Sequence, residues 1–397
     1  MTTPLNGIRV LELGQLIAGP FCGQMLADFG ADVLKIEPPE TGDAMRQWGR
    51  TDNDGQPLWW SVIGRNKKSM TLNLRLKEGQ EILKALVAEA DILTENFRPG
   101  TMERWGLGYD VLSKINPRLI MVRVSGFGQT GPYASRAGFA SVCEAMGGLR
   151  HIAGYPDRPP VRAGISLGDT LAGTFGAMGA LLALQARHLT GKGQVVDSSI
   201  YESALAMTEA IVAEYSGGGH IRERTGPSLP GIAPSNAYPC ADGRDIIIGA
   251  NQDTVYRRMC MAMNRDDLIE DPRFATHRAR GENAADIDDI VGNWTKLHSS
   301  EVVLEKMDKA GVPAGLAYTA QDMLQDPHFA ERESIVRVED PKRGALDMQN
   351  VFPRLLSTPG KIRHTGPELG QHNAYALSDL LGFSQDEIAS LRTKGVV

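Results

Sequence analysis

One carboxylate in the chain of 397 residues stands where charge is costly. The stretch PPVRAGISLGDTLAGTFGAMGALLAL (159–184) sets Asp169 between a glycine-bearing turn and an apolar run that carries no charge from Thr170 to Ala186. Such a carboxylate has two uses. It can cap the helix that follows, because Asp accepts backbone amide hydrogen bonds and suits the positive end of the helix dipole. It can also do covalent chemistry, and the two uses coexist because amide donors keep a carboxylate ionised. The small residues Gly173, Gly176, Gly179, Ala180 and Ala183 let another backbone come close, so this helix is expected at a domain or subunit contact.

Other chemistries fit less well. G-x-G-x-x-G occurs at Gly126, Gly128 and Gly131 after a strand, but Pro132 and YASRAG follow, with no apolar helix to aim at a pyrophosphate. The segment GQLIAGP (14–20) follows the first strand, and Glu37 ends the second where a ribose-binding acid would sit. Its glycines are spaced G-x-x-x-x-G, which is the wrong interval for a dinucleotide. The histidines, His151, His188, His220, His277, His298, His328, His364 and His372, lie at no metal-ligand spacing from one another or from a Cys, so no metal site is expected. His188 suits the dipole at the end of its helix. No G-x-S-x-G elbow appears.

The elements that must position Asp169 read as alternating strands and helices. IRVLEL (8–13), ADVLKIE (31–37), DILTENF (91–97) and LIMVRVSG (119–126) are strands, with a helix between Pro20 and Gly30 and another carrying Ile82, Leu83, Leu86, Val87 and Ala90. That alternation predicts an α/β fold with a parallel, doubly wound sheet. The segment YSGGGHIRERTGPSLPGIAPSN (215–236) is dense in Gly, Pro and Ser and marks a joint or an active-site loop. Beyond it, YPCADGRDIIIGA (238–250) reads as a hairpin turning at Asp242-Gly243 and opens a smaller α+β lobe. Ser384 with Glu387 forms a capping box near the end.

Composition narrows the class. Forty-two Lys and Arg against 48 Asp and Glu give a net charge of −6, which excludes a general nucleic-acid binder. The start, MTTPLNGIRVLELG, lacks a signal peptide's basic and apolar regions. Residues 170–186 are expected as a buried helix and not a membrane span. Cys22, Cys143, Cys240 and Cys260 stand far apart and read as buried thiols in a reducing cytoplasm.

Many segments, in order, resemble the class III CoA-transferases, the family of formyl-CoA transferase and the CaiB/BaiF proteins. They are RVLELGQLIAGPFCGQMLADFGADVLKIE, NKKSMTLNL (66–74), ENFRPGTMERWGLGY (95–109), SGFGQTGPY (125–133), GISLGDTLAG (164–173), TGKGQVVDSSIYES (190–203), DPHFAERE (326–333) and LGQHN (369–373). The resemblance implies that Asp169 is the nucleophile, that coenzyme A enters only as a thioester substrate, and that no cofactor is permanently bound. It implies a CoA site from Gln15, Leu16, Ile17 and Ala18, from Leu72, Asn73, Leu74 and Arg75, and from Asn96, Phe97, Arg98 and Arg104. Arg75, Arg98 and Arg104 are forked donors of the kind phosphates attract, although a solvated basic face is the alternative reading of them. The family also implies an interlocked homodimer with a large Rossmann-like domain from both chain ends (1–215 and 328–397) and a small domain (225–327).

Two departures bear on substrate. Formyl-CoA transferase has an acidic residue at the position of Ala140 and a basic CoA contact at Ala137, which leaves Arg136, one step away, as the candidate contact here. The sequence RTGPSLPGIAPSNAYP (224–239) replaces that enzyme's glycine-rich flap, and the chain looks more like members using succinyl-CoA with dicarboxylates. α-Methylacyl-CoA racemases of the same superfamily carry G-H-D where this chain has Gly138-Phe139-Ala140, so a racemase lacks its acid/base group. A non-catalytic acyl-CoA binding protein is opposed by the intact Gly168-Asp169. Arg162 and the pair Arg150-His151, near Asp169 in the chain, are candidates for a substrate's second carboxylate.

Overall fold

The computed structural model describes residues 3–52, 55 and 57–397. Its chain divides into two compact units, one of Met1–Arg150, Arg162–Ile211 and Arg332–Val397, the other of His151–Val161 and Val212–Glu331. The second unit thus takes in a proline-rich stretch lying within the first segment of the large domain expected from sequence.

The first unit is built on a six-stranded sheet: β1 (Arg9–Glu12), β2 (Asp32–Glu37), β3 (Lys68–Thr71), β4 (Ile92–Glu95), β5 (Ile120–Ser125) and β6 (Val195–Ser199). The order is β3-β2-β1-β4-β5-β6 and every pairing is parallel. The near-continuous apolar strands follow from burial on both faces. Side chains alternate along each strand. Leu11, Leu34, Leu93 and Met121 meet Ile82, Leu83 and Leu86 of the helix Lys77–Val87 on one side. Val10, Val33, Ile92 and Val122 meet Cys22, Leu26, Ala177 and Ala180 on the other.

That second layer consists of the helix Ala18–Asp28 and the long helix Leu167–Thr190. Their backbones nearly touch. A Cβ on Gly173 would lie 2.7 Å from the Ala18 carbonyl oxygen, so only glycine allows the approach. Asp169, one turn before Gly173, is thereby brought beside the loop that follows β1.

The sequence suggested a buried helix, but the long helix is buried on one side only. It is long and apolar enough to cross a membrane, with 44% of its most apolar window buried. Ala172, Gly176, Ala177, Ala180 and Ala183 face the sheet, while Met178, Leu181, Leu182 and Leu189 are exposed.

The second unit holds an antiparallel sheet of β7 (Ser235–Pro239), β8 (Asp245–Gly249) and β9 (Ala314–Leu316). Its turn falls at Asp242-Gly243, where Gly243 has φ +79°. Tyr238, Ile246 and Ile248 pack on Tyr256, Ile287, Val291, Val303 and Met307 from three helices. The hairpin of β10 (Ile335–Asp340) and β11 (Gly344–Gln349) returns the chain to the first unit, and the capping box at Ser384 and Glu387 opens the helix Gln385–Thr393.

Candidate active site

A doubly wound parallel sheet leaves a crevice at the carboxyl ends of its strands where the order reverses, here between β1 and β4. The loops leaving those two strands are tied together there. The amide of Gln15 donates to Asn96 Oδ1 at 2.8 Å, and Asn96 Nδ2 donates back to the Gln15 carbonyl at 2.8 Å.

Buried charges hold the loop from beneath. Glu12, Lys35, Asp43 and Lys67 are wholly excluded from solvent. Lys35 Nζ lies 3.0 Å from Glu12 and 2.8 Å from Asp43, and Lys67 Nζ lies 2.8 Å from Glu12. Spare donors and acceptors of the group grip the loop backbone. Lys35 donates to the Gly14 carbonyl at 2.7 Å, Lys67 to the Pro20 carbonyl at 2.6 Å, and Asp43 accepts from the Leu16 amide at 2.9 Å. Burial pushes the Asp43 carboxyl up, but Lys35 and the amides of Met45 and Leu16 outweigh it and leave it below its ordinary value. The last contact holds Leu16 at φ +64°, a conformation uncommon outside glycine.

Two hollows open on either side of this loop. The larger, about 980 Å3, is a groove along the ends of β1, β2, β3 and β4. Gln15, Leu72, Asn73, Leu74, Arg75, Phe97 and Arg98 line it, as does the turn Pro38–Gly42. Arg75 and Arg98 are exposed, while Glu37 is taken by Arg46 through two 2.7 Å hydrogen bonds. The smaller, about 480 Å3, is lined by Leu16, Ile17, Ala18 and Asn96, by Trp48, Trp59, Phe139 and Ile165, and by Arg162 and Asp169. Gln15 and Leu16, consecutive residues, face different hollows.

Arg104 and Arg136 line neither. Arg104 turns back on its own short helix and donates to Thr101 Oγ1 at 2.9 Å, and Arg136 stacks on Tyr133 with its guanidinium 3.6 Å from the ring centre. Arg150 and His151 also lie elsewhere. Arg150 pairs with Glu144 at 2.8 Å and His151 with Glu223 at 3.3 Å.

Asp169 is not the N-cap. The helix begins at Leu167 with Ser166 in the cap position, and the Ser166 hydroxyl accepts from Arg162 at 3.0 Å rather than from the helix. Asp169 is the third helical residue, and among the described residues none donates a hydrogen bond to its carboxylate. The Gly168 amide instead donates to the buried carboxylate of Glu144 at 2.9 Å. Burial, and then the charge of Glu144, push the Asp169 carboxyl up to about 6, with Arg162 pulling the other way. A carboxylate without donors, in a largely apolar cavity, is a stronger nucleophile than a solvated one.

Sequence reasoning missed Glu144, Trp48, Trp59 and the turn Pro38–Gly42. The tryptophan-rich run QWGRTDNDGQPLWW (47–60) carried a visible signal, since aromatic residues gather in ligand sites. Glu144 carried none, because its partner lies 24 residues away. Among the described residues, no group of three His, Cys, Asp or Glu side chains is placed to hold a metal.

The fold and the carboxylate cavity together describe a group-transfer enzyme, and comparison with known proteins gives its family. The description "CoA-transferase family III" matches residues 5–373. The chain is 57% identical to a succinyl-CoA–D-citramalate CoA-transferase of Chloroflexus aurantiacus, over 99% of this chain and 98% of the relative. It is 34% identical to a succinate–glutarate CoA-transferase of Agrobacterium fabrum, over 95% and 96% respectively. The crystal structure of a CaiB/BaiF family protein from Brucella suis superposes with a TM-score of 0.85 at 35% identity, covering 96% of this chain and all of that one. The chain belongs to CoA-transferase family III and is a CoA-transferase.

Proposed function

We propose that the enzyme moves CoA from succinyl-CoA to a dicarboxylic acid of the citramalate, malate or glutarate type, with Asp169 as covalent carrier. The observation that carries this reading is the unbonded Asp169 carboxylate in a cavity one residue along the chain from the groove at the strand ends. The groove suits the nucleotide end of CoA, with Arg75 and Arg98 for phosphates and Phe97 for the adenine. The thioester then reaches past Gln15 and Leu16 to Asp169.

An Asp169 oxygen attacks the succinyl carbonyl carbon, the C–S bond breaks, and CoA leaves as the thiolate, giving a mixed anhydride. The thiolate attacks the aspartyl carbon of that anhydride and succinate departs, leaving an aspartyl-CoA thioester. The acceptor carboxylate displaces CoA to form a second anhydride. CoA thiolate attacks its acceptor carbonyl, and the Asp169 carboxylate is regenerated. No proton is gained or lost over the cycle. The amides of Ala18 and Gly19, which open the helix Ala18–Asp28, have no intrahelical acceptor, and with Ala18 lining the cavity they suit the developing oxyanions. Trp48, Trp59 and Phe139 give the cavity an apolar wall, which disfavours water beside the intermediates.

Among the described residues, Arg162 is the one cation lining the cavity, which suits the far carboxylate of a dicarboxylic acceptor. Arg104 and Arg136, which line neither hollow of the single chain, remain candidates for a CoA contact. A second copy of the chain, interlocked with the first, is the partner that suits the exposed apolar face of the Asp169 helix. Four buried, unpaired thiols suit a cytoplasmic setting.

The test offers succinyl-CoA with citramalate, malate, glutarate and a monocarboxylate panel, followed by mass spectrometry of the Asp169 peptide after hydroxylamine trapping. Transfer and a trapped adduct are expected, both lost in Asp169→Asn. Arg162→Ala should raise KM about tenfold or more for dicarboxylates alone. No transfer across the panel, or transfer undiminished in Asp169→Asn, overturns the reading.

A further inference from the structure

Helix N-termini expose amides that the nearest carboxylate ordinarily captures, and an Asp three residues into a helix is well placed to do so. Asp169 does not, because another acid has taken the position. Glu144, on the helix Ala140–Met146, is 3% exposed, and its Oε1 accepts the Gly168 amide at 2.9 Å. Its Oε2 accepts from Arg150 Nε at 2.8 Å, so the side chain is held at both ends. The packing leaves no slack, since a Cβ on Gly168 would lie 2.8 Å from Glu144 Cγ.

We propose that Glu144, braced by Arg150, is a positioning residue of the reaction: it caps the Asp169 helix from outside, so that the Asp169 carboxylate projects unbonded into the cavity as a free nucleophile. This rests on Asp169 being the carrier. Glu144 also sets the charge Asp169 feels. The groups facing Asp169 are Glu144 and the neutral thiol of Cys143 from the helix Ala140–Met146, and Arg162 from the preceding loop. The helix Ala18–Asp28 and the helix Ile200–Leu205 present Ala18 and Ile200 to the cavity. Asp197 of β6 interacts with Glu202 and with Arg123 of β5, and Arg123 is paired with Glu95 and Glu103. Among the described residues Glu144 is thus the one anion acting on Asp169, and burial, then Glu144, hold the Asp169 carboxyl at about 6.

Three variants separate position from charge. Glu144→Gln keeps an acceptor for the Gly168 amide and removes the charge. The acid limb of its kcat/KM profile should move to lower pH by roughly half a unit or more, with a several-fold lower plateau because the carboxylate is less basic. Glu144→Asp keeps the charge and shortens the reach, so kcat should fall about tenfold or more with the limb in place. Glu144→Ala lets Asp169 turn to the vacant amide, and kcat should fall about a hundredfold with KM for succinyl-CoA little changed. A purely structural Glu144 would lower Tm without moving the acid limb. If Asp169→Asn is inactive while Glu144→Gln keeps the wild-type limb and Glu144→Asp keeps wild-type kcat, this inference fails and the carrier stands. Activity in Asp169→Asn brings down the carrier itself.

Discussion

A carboxyl group whose pKa is raised by folding holds its proton more tightly in the native chain than in the unfolded one. For Asp169 the rise is from 3.8 to about 6. Below about pH 4 both states are protonated and the group has no effect. As pH climbs from 4 to 6 the unfolded chain ionises first, and above 6 the native state bears the full cost. The cost is on the order of 1–3 kcal/mol at pH 8. Asp169→Asn should therefore be inactive yet more stable at pH 8, with a higher Tm whose advantage fades as pH falls through 6 toward 4. Equal Tm values across that range would mean that the carboxylate is not destabilised where it stands. The sequence made Asp169 conspicuous because a lone charge before an apolar run is rare. It left open whether the residue capped its helix, and that depended on Glu144. A glutamate in ASVCEAM looks like any acid on a helix surface, and only the fold brings it to Gly168.

At the scale of elements, β1, β2, β4 and β5 were legible because strands buried on both faces are continuous in apolar residues, whereas β3 (KSMT) and β6 (VVDSS) went unread because they carry no apolar run. What held the first loop in place was not legible. Glu12, Lys35 and Lys67 sit in or beside strands, where a charge reads as pointing to solvent, yet all three are buried against one another. Charge pairing across β1, β2 and the start of β3 depends on register, which sequence alone does not supply. The network stabilises a loop conformation more than the fold as a whole, since it ends on the Gly14 and Pro20 carbonyls and the Leu16 amide. Removing its central acid leaves two buried lysines with Asp43 as their remaining close acid and Glu37 acting on Lys35 from further off. Glu12→Ala should lose about 3–5 kcal/mol in urea unfolding. A loss under about 1 kcal/mol would show that water enters and solvates the lysines.

For the whole molecule, the long helix is the element whose sequence says most about what lies outside one chain. Its small residues face inward and admit the helix Ala18–Asp28, whereas Met178, Leu181 and Leu182 face solvent at 47%, 47% and 63% exposure. Large apolar side chains on the face opposite a small-residue seam suit a partner surface, and a second copy of the chain is the partner proposed above. Burying each one is worth about 1.5–3 kcal/mol, and a second copy that covers them also covers the helix bearing Asp169. The interlocked homodimer proposed above would supply such a partner. Leu182→Asp adds a charge to that face without touching the cavity or the groove. In sedimentation equilibrium the wild type should have twice the chain mass at micromolar concentration, and the Leu182→Asp variant should shift to the single chain with far-UV circular dichroism kept. Transfer activity should fall with the loss of the dimer and return when concentration restores it. A wild type that sediments as one chain, or a Leu182→Asp variant that remains paired, would remove this face from the assembly and leave its exposed leucines without an account.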